Sequence, residues 1–229
     1  MENSDMYIVE LLNIMWCFDR KKEQVKLILK KGDRLSLPVT KLLQTEDANA
    51  AIVRFTAQLT DQNISDNNIK QLEVITDPAC LHDNDRVITL VTLTYLPTLP
   101  QLMSDDLTLV TLGIVEGEYA LLRDDNAPPI ILNEFTSSIG LPKELATLLV
   151  RACEHVKQEL ELEPNILRIL GQSFTLREAR SVYAHFLKTE VNDIDNSNFK
   201  KTHQKFFEEV GKATQKGPGR PASLYVLKS

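Results

Sequence analysis

Apolar positions in the first 130 residues fall mainly into short runs, whereas those of the last 90 fall mainly on helical stripes. Tyr7 to Trp16 is largely apolar and β-prone, and Val25 to Leu29 follows after the charged turn Asp19-Arg20-Lys21-Lys22. That arrangement predicts a hairpin. Leu37-Pro38 is expected to end this β region. Glu46 to Leu59 changes period, with Ala51, Phe55 and Leu59 spaced four apart, and predicts a helix. β character resumes at Ile69 to Ile75 and is strongest from Val87 to Leu96, bounded by Pro97 and Pro100. Leu107 to Val115, Tyr119 to Leu122 and Ile130 to Leu132 supply further strands. A mixed sheet with an early helix is an α+β layout.

From Pro142 the pattern is helical. Leu145, Leu148, Leu149, Ala152, Val156 and Leu160 share one stripe, and Pro164 ends it. The stripe is expected to be buried between domains or between subunits. Thr175-Leu176-Arg177-Glu178 is a capping box, in which the threonine caps the helix and the glutamate reaches back to it. The helix it opens carries Leu176, Ala179, Val182, Tyr183, Phe186 and Leu187 as a continuous apolar face, and ends near Lys188. A polar turn leads to Asp195, a second helix cap. In the helix that follows, Phe199 and Phe206 lie seven apart and are expected to share a buried face. Two strand-like runs then flank a basic loop, Lys212 to Arg220, where Gly217, Pro218 and Gly219 forbid regular structure. Two helices and a β-loop-β are the order of a winged helix-turn-helix. The chain therefore divides into a sheet domain over 1–140, a linker helix over 141–164 and a winged helix over 165–229.

Composition narrows the partners. A hydrophobic content of 43% with 25% charged residues fits a soluble globular protein. No apolar run approaches the roughly 20 residues of a membrane helix. The start, Met1-Glu2-Asn3-Ser4-Asp5, lacks the charge pattern of a signal peptide. Cys17, Cys80 and Cys153 make neither a disulfide framework nor a zinc motif, so a cytoplasmic location is expected. The net charge of −6 alone argues against nucleic acid, but its distribution reverses that. Residues 165–229 hold 11 Lys and Arg against 6 Asp and Glu, a net of +5, while residues 1–164 hold 15 against 26, a net of −11. A basic module on an acidic body is the asymmetry of a separate DNA-binding domain.

Phe199 in the core leaves Asn196, Ser197, Asn198, Lys200, Lys201 and Lys205 mostly on the outer surface. Amides there suit base edges and ammonium groups suit phosphates. Lys212, Lys216 and Arg220 extend the basic surface into the wing. The plainer alternative is a helical domain with a solvated basic face.

These residues carry a resemblance. Phe174-Thr175-Leu176 at a helix start, then Asp195, Asn198, Phe199 and Lys201, then Gly219-Arg220-Pro221-Ala222 and Tyr225 resemble the Nudix-related transcriptional regulators, the NrtR family. In the first domain, Leu37-Pro38, Ala50-Ala51, Asp77-Pro78 and Arg86-Val87 resemble parts of a Nudix domain, although Val39 and Thr40 replace the family's two glycines. Basic residues preferred by the family are replaced by Asn196 and Ser197, a departure that bears on the operator sequence. The resemblance implies a Nudix-like sensor domain, a homodimer on double-stranded operator DNA, and a repressor linked to NAD metabolism. It also implies a nucleotide-sugar effector such as ADP-ribose, with Arg86 as the candidate ligand contact.

Nudix hydrolases hold divalent cations on closely spaced glutamates, because a hard ion prefers carboxylate oxygens. Here Arg54, Ala57 and Gln58 occupy those positions, and residues 48–60 contain no acid. Glu46 and Asp47 stand only at the helix entrance. A Nudix scaffold with no catalytic residue, no metal and no cofactor is expected. The alternatives are a divergent nucleoside-diphosphate hydrolase and a protein-interaction module. His82-Asp83-Asn84-Asp85 imitates metal ligands but reads as a polar loop, and His155 and His203 read as structural.

Overall fold

The computed structural model describes residues 7–76, 81–82, 85–125, 127–133, 140–214 and 221–228. The predicted hairpin forms from β1 (Tyr7–Asp19) and β2 (Gln24–Lys30), paired antiparallel. Leu37-Pro38 does not end the β region: β3 (Val39–Lys41) follows and pairs with the first half of β1. Proline lacks a ladder donor, but it does not prevent a strand from starting immediately after it. α1 (Ala48–Leu59), β4 (Ile69–Ile75), β5 (Leu81–His82) and β6 (Asp85–Tyr95) come next. They are followed by β7 (Leu107–Val115), β8 (Glu118–Leu122) and β9 (Ile130–Ile131). The nine strands form one sheet with the path β4-β6-β1-β2-β7-β8-β9, β3 joining at β1 and β5 at β6. The pairing of β1 with β6 is parallel and the other pairings are antiparallel, which makes the sheet mixed.

β1 is buried on both faces, and so reads as a run rather than an alternation. Leu11, Met15 and Cys17 pack with Ala51, Ile52 and Phe55 of α1. Ile14, Trp16 and Phe18 join the core on the opposite side. That side is covered by α2 (Lys143–Glu159) and α3 (Leu176–Leu187). All six residues of the predicted α2 stripe are buried within the chain. A buried two-turn 3-10 segment, Asn165–Leu170, lies between the two helices and was not expected from the sequence.

The apolar core runs without a break from the sheet through α2 and α3 to Phe199, Phe207 and Tyr225. α3 is tied to the sheet at both ends. At its start, the Arg20 guanidinium on the β1–β2 turn donates to Glu178 and to the Leu170 and Ser173 carbonyls. Arg177 makes a two-pronged pair with Glu23 at 2.8 and 3.0 Å. At its end, the Tyr119 hydroxyl donates to the Phe186 carbonyl at 2.7 Å, and Trp16 meets Phe186 edge to face. Leu187, expected on the apolar face, is instead exposed, because the chain turns away at Lys188 in a left-handed conformation.

Candidate functional site

α4 (Asn196–His203) begins on Asp195, whose carboxylate accepts from the Asn198 backbone N–H at 2.7 Å. The cap uses the Asn198 backbone and leaves its side-chain amide with no partner among the described residues. Behind the helix lies an aromatic cluster. Phe199 and His203 stack at 4.3 Å, both meet Tyr183 edge to face at 4.9 Å, and Phe207 closes the group. The Tyr183 hydroxyl donates to the Leu160 carbonyl at 2.6 Å, which links this cluster to the end of α2. Phe206 does not share a helical face with Phe199. The helix stops at His203, and Phe207, one residue later, is the buried side chain, while Phe206 is only partly buried against the same core.

The outer face carries Asn196, Ser197, Asn198, Lys200 and Lys201, all exposed. The side chains of Asn196, Ser197, Asn198 and Lys201 have no protein partner among the described residues. Lys200 and Lys205 are placed differently. Lys205 follows the helix, donates to the Glu161 carbonyl at 3.2 Å and lies 4.5 Å over the Phe206 ring, so it braces α4 against the end of α2. Lys200 reaches back toward the wing.

The wing is β10 (Phe207–Lys212) paired antiparallel with β11 (Ser223–Leu227), with an irregularity between Glu209 and Gly211. Glu209 accepts from Lys212 at 2.8 Å and from the Tyr225 hydroxyl at 3.3 Å, and stands 3.9 Å from Lys200. Lys212 and Ser223 together pull the Glu209 carboxyl down to about 2. Sequence reasoning missed Glu209, because its neighbours come from a helix and two strands that meet only in the fold. Lys216 and Arg220 lie outside the described residues.

At the start of α1, Asp47 accepts from the Ala50 N–H at 2.8 Å as the helix cap. Arg54 donates to both oxygens of Glu46, at 2.9 and 2.7 Å, and its hydrogen bonds hold the Glu46 carboxyl below the usual carboxylate range. The two acids at this entrance are thus occupied by a cap and by an arginine. Among the described residues no group of three or more His, Cys, Asp or Glu is placed to hold a metal ion. Cys17 and Cys153 are buried and unpaired, while Cys80, Asp83 and Asn84 lie outside the described residues, as does Asp77-Pro78. His155 meets Glu159 of its own helix at 3.4 Å.

On the other face of the sheet, a cavity of about 680 Å³ opens beside α2. Leu12, Leu37, Ile75, Leu145 and Leu148 form its apolar wall, and Lys143 and Arg151 stand at its rim. Arg151 pairs with Glu73 at 2.8 Å, whereas Lys143 has no partner among the described residues. Arg86 does not line this cavity. It is exposed at the start of β6 and donates to the Thr76 carbonyl at 3.2 Å.

Residues 166–227 match the family model described as the NrtR DNA-binding winged helix domain. No curated protein sequence matches the chain. The crystal structure of a MutT/nudix family protein from Enterococcus faecalis is similar over 99% of this chain and 90% of that one, with a TM-score of 0.85 at 26% identity. NrtR from Shewanella oneidensis, solved in complex with a 27mer DNA, is similar over 96% of this chain and 93% of that one, with a TM-score of 0.64 at 18% identity. The same NrtR solved alone gives a TM-score of 0.64 at 17% identity, over 96% and 94%. Residues 166–227 are therefore a winged helix of the NrtR type, carried on a Nudix-like mixed sheet.

Proposed function

We propose that the protein is a transcriptional regulator that binds double-stranded operator DNA through α4 and the wing, as a homodimer. The observation that carries this reading is the outer face of α4. Asn196, Ser197, Asn198 and Lys201 are held out by an aromatic cluster and have no partner among the described residues. Free amides and a free ammonium on the first turns of a rigid helix are the groups that read base edges and phosphates. Residues 1–140, 141–164 and 165–229 act as sensor, connector and reader in this scheme. Two readers in a dimer engage two half-sites.

The cavity beside α2 is the proposed effector site. Its volume falls in the usual ligand-pocket range of about 300–1,000 Å³. Apolar walls suit a nucleobase, and Lys143 and Arg151 suit phosphate oxygens, which together favour a nucleotide sugar such as ADP-ribose. One helix, α2, supplies Leu145, Leu148 and Arg151 to the cavity and meets Tyr183 and Lys205 of the reader at its far end. Occupancy of the cavity thereby bears on the placement of α4. Hydrolysis is not part of this function, since Glu46 is held by Arg54 and Asp47 by the helix.

Selection of bound duplexes from a random pool, followed by affinity measurement with and without ADP-ribose, tests both halves. A preferred sequence whose affinity changes with ADP-ribose supports them. Equal binding of all duplexes removes the operator reading, and an ADP-ribose-independent affinity removes that effector. Metal-dependent turnover of ADP-ribose at an ordinary enzymatic rate, about 1–10³ per second, overturns the non-hydrolytic assignment.

A further inference from the structure

Glu209 lies in the middle of the DNA-facing surface, where a carboxylate is the wrong charge for a phosphate. It is not a stray surface acid. Lys212 donates to it at 2.8 Å from its own strand, Tyr225 donates to it at 3.3 Å from the paired strand, and Lys200 approaches to 3.9 Å from α4. Lys212 also donates to Ser223 at 2.6 Å. Lys200, Glu209, Lys212, Pro221 and Ser223 line an open cavity of about 390 Å³ in the crook between helix and wing. Two cations and one carboxylate thus share the crook.

From this arrangement we propose that Glu209 is a specificity-determining residue, an internal stand-in for phosphate that occupies Lys200 and Lys212 until a correctly placed duplex phosphate displaces it. The proposal rests on the DNA-binding reading. Its physical basis is competition. A phosphodiester entering the crook must take Lys212 from a hydrogen bond and Lys200 from an ion pair with Glu209, and it brings the repulsion of a second anion. On a non-cognate duplex, whose backbone is held by charge alone, that cost is not recovered. On the preferred site, base contacts from α4 fix the register and hold the phosphate in place while the exchange occurs. Glu209 in this role lowers loose binding more than specific binding. The ratio of the two decides whether a regulator finds its site among competing DNA. Glu208 provides a control: it is exposed on the same strand and has no partner among the described residues.

The test compares the full-length wild type, Glu209→Gln and Glu208→Gln on the preferred duplex and on a scrambled duplex across a salt series. Glu209→Gln should bind the scrambled duplex several-fold tighter than the wild type, gain less on the preferred duplex, and show a salt slope steeper by about one unit. Such a slope change makes its advantage shrink by about fourfold between 50 and 200 mM salt. Glu208→Gln removes the same net charge without releasing the lysines, and should change both affinities much less. Unchanged or weaker binding by Glu209→Gln overturns the proposal, because the carboxylate then does not compete. An equal gain in both variants also overturns it, since net charge alone would explain the result. If the wild type binds no duplex at low salt, the DNA-binding reading falls and this proposal falls with it, which the wild-type curve alone reveals.

Discussion

Helices α1 and α4 start in the same way and end with opposite chemistry. Each opens on an aspartate that accepts from a backbone N–H three residues on, Asp47 from Ala50 and Asp195 from Asn198. Each lays an apolar face on a core, through Ala51, Ile52 and Phe55 in one and Phe199 and His203 in the other. The difference is in what the remaining polar side chains are doing. On α1, Arg54 is bound to Glu46 through two hydrogen bonds. On α4, Asn196, Ser197, Asn198 and Lys201 are unengaged among the described residues. Exposed amides without a partner among the described residues occur on both helices, Asn49 and Gln58 on α1 and Asn196 and Asn198 on α4, but only α4 sets an unengaged cation, Lys201, beside them. In the proposed reading, that unengaged cation, which depends on tertiary partners, separates a DNA-reading surface from a structural one.

The largest effect should come from the support beneath α4. Phe199→Ala removes a buried ring that stacks on His203 and meets Tyr183, and should cost about 3–5 kcal/mol of stability. Because Phe199 belongs to the core that continues into α2 and the sheet, denaturant unfolding should remain a single transition at lower denaturant. A separate early transition confined to the winged helix would show that α4 stands on its own support, as α1 does on Phe55.

Much of this contrast was legible in the sequence. The longer strands, the α2 stripe, the capping box at Thr175 and the cap at Asp195 follow from local rules and lie where the pattern placed them, whereas the short strands β3 and β5 did not show in the pattern. Long-range partners were not legible. No spacing rule pairs Glu209 with Lys200 and Tyr225, or Arg20 with Glu178, because each contact joins elements that only the fold brings together. Lys205 shows the same limit: its position suggested a phosphate contact, and its ammonium is on the Glu161 carbonyl. Helical phase also failed at Phe206, where the helix had already ended.

Asn198 and Lys201 sharpen the comparison from the α4 side. With Asp195 serving the backbone, the Asn198 amide is free for a base edge, so Asn198→Ala should cost about 1–3 kcal/mol on the preferred duplex and nothing on a scrambled one. A loss of folding stability without a change in sequence preference would assign the amide to the protein instead. Lys201→Ala should act more weakly and more evenly. It removes one unengaged cation, so all duplexes bind less tightly and the salt slope becomes shallower by about one unit. An unchanged slope for Lys201→Ala, with an unchanged preference for Asn198→Ala, would mean that α4 does not face DNA.

The smallest effect belongs to α1, and its sign distinguishes a structural acid from a functional one. Arg54 holds the Glu46 carboxyl below the usual carboxylate range, chiefly through its hydrogen bonds. A carboxyl whose folded-state pKa is lowered stabilises the fold above its unfolded pKa, and that contribution is lost as pH falls through the folded value. Wild type should therefore be slightly more stable than Glu46→Gln at neutral pH, and the gap should close on acidification below the usual carboxylate range. The gap is small because one edge of the pair is open to solvent, where such pairs contribute little. DNA affinity of Glu46→Gln at neutral pH should match the wild type, since α1 lies on the sheet face opposite α2 and α3. Denaturant titrations from neutral to acid pH, paired with duplex binding at neutral pH, measure both quantities. A gap that persists into acid would assign the stabilisation to packing rather than charge. A loss of DNA affinity in Glu46→Gln would show that the entrance of α1 communicates with α4 through the sheet, and the two helices would no longer be a working surface and a structural one.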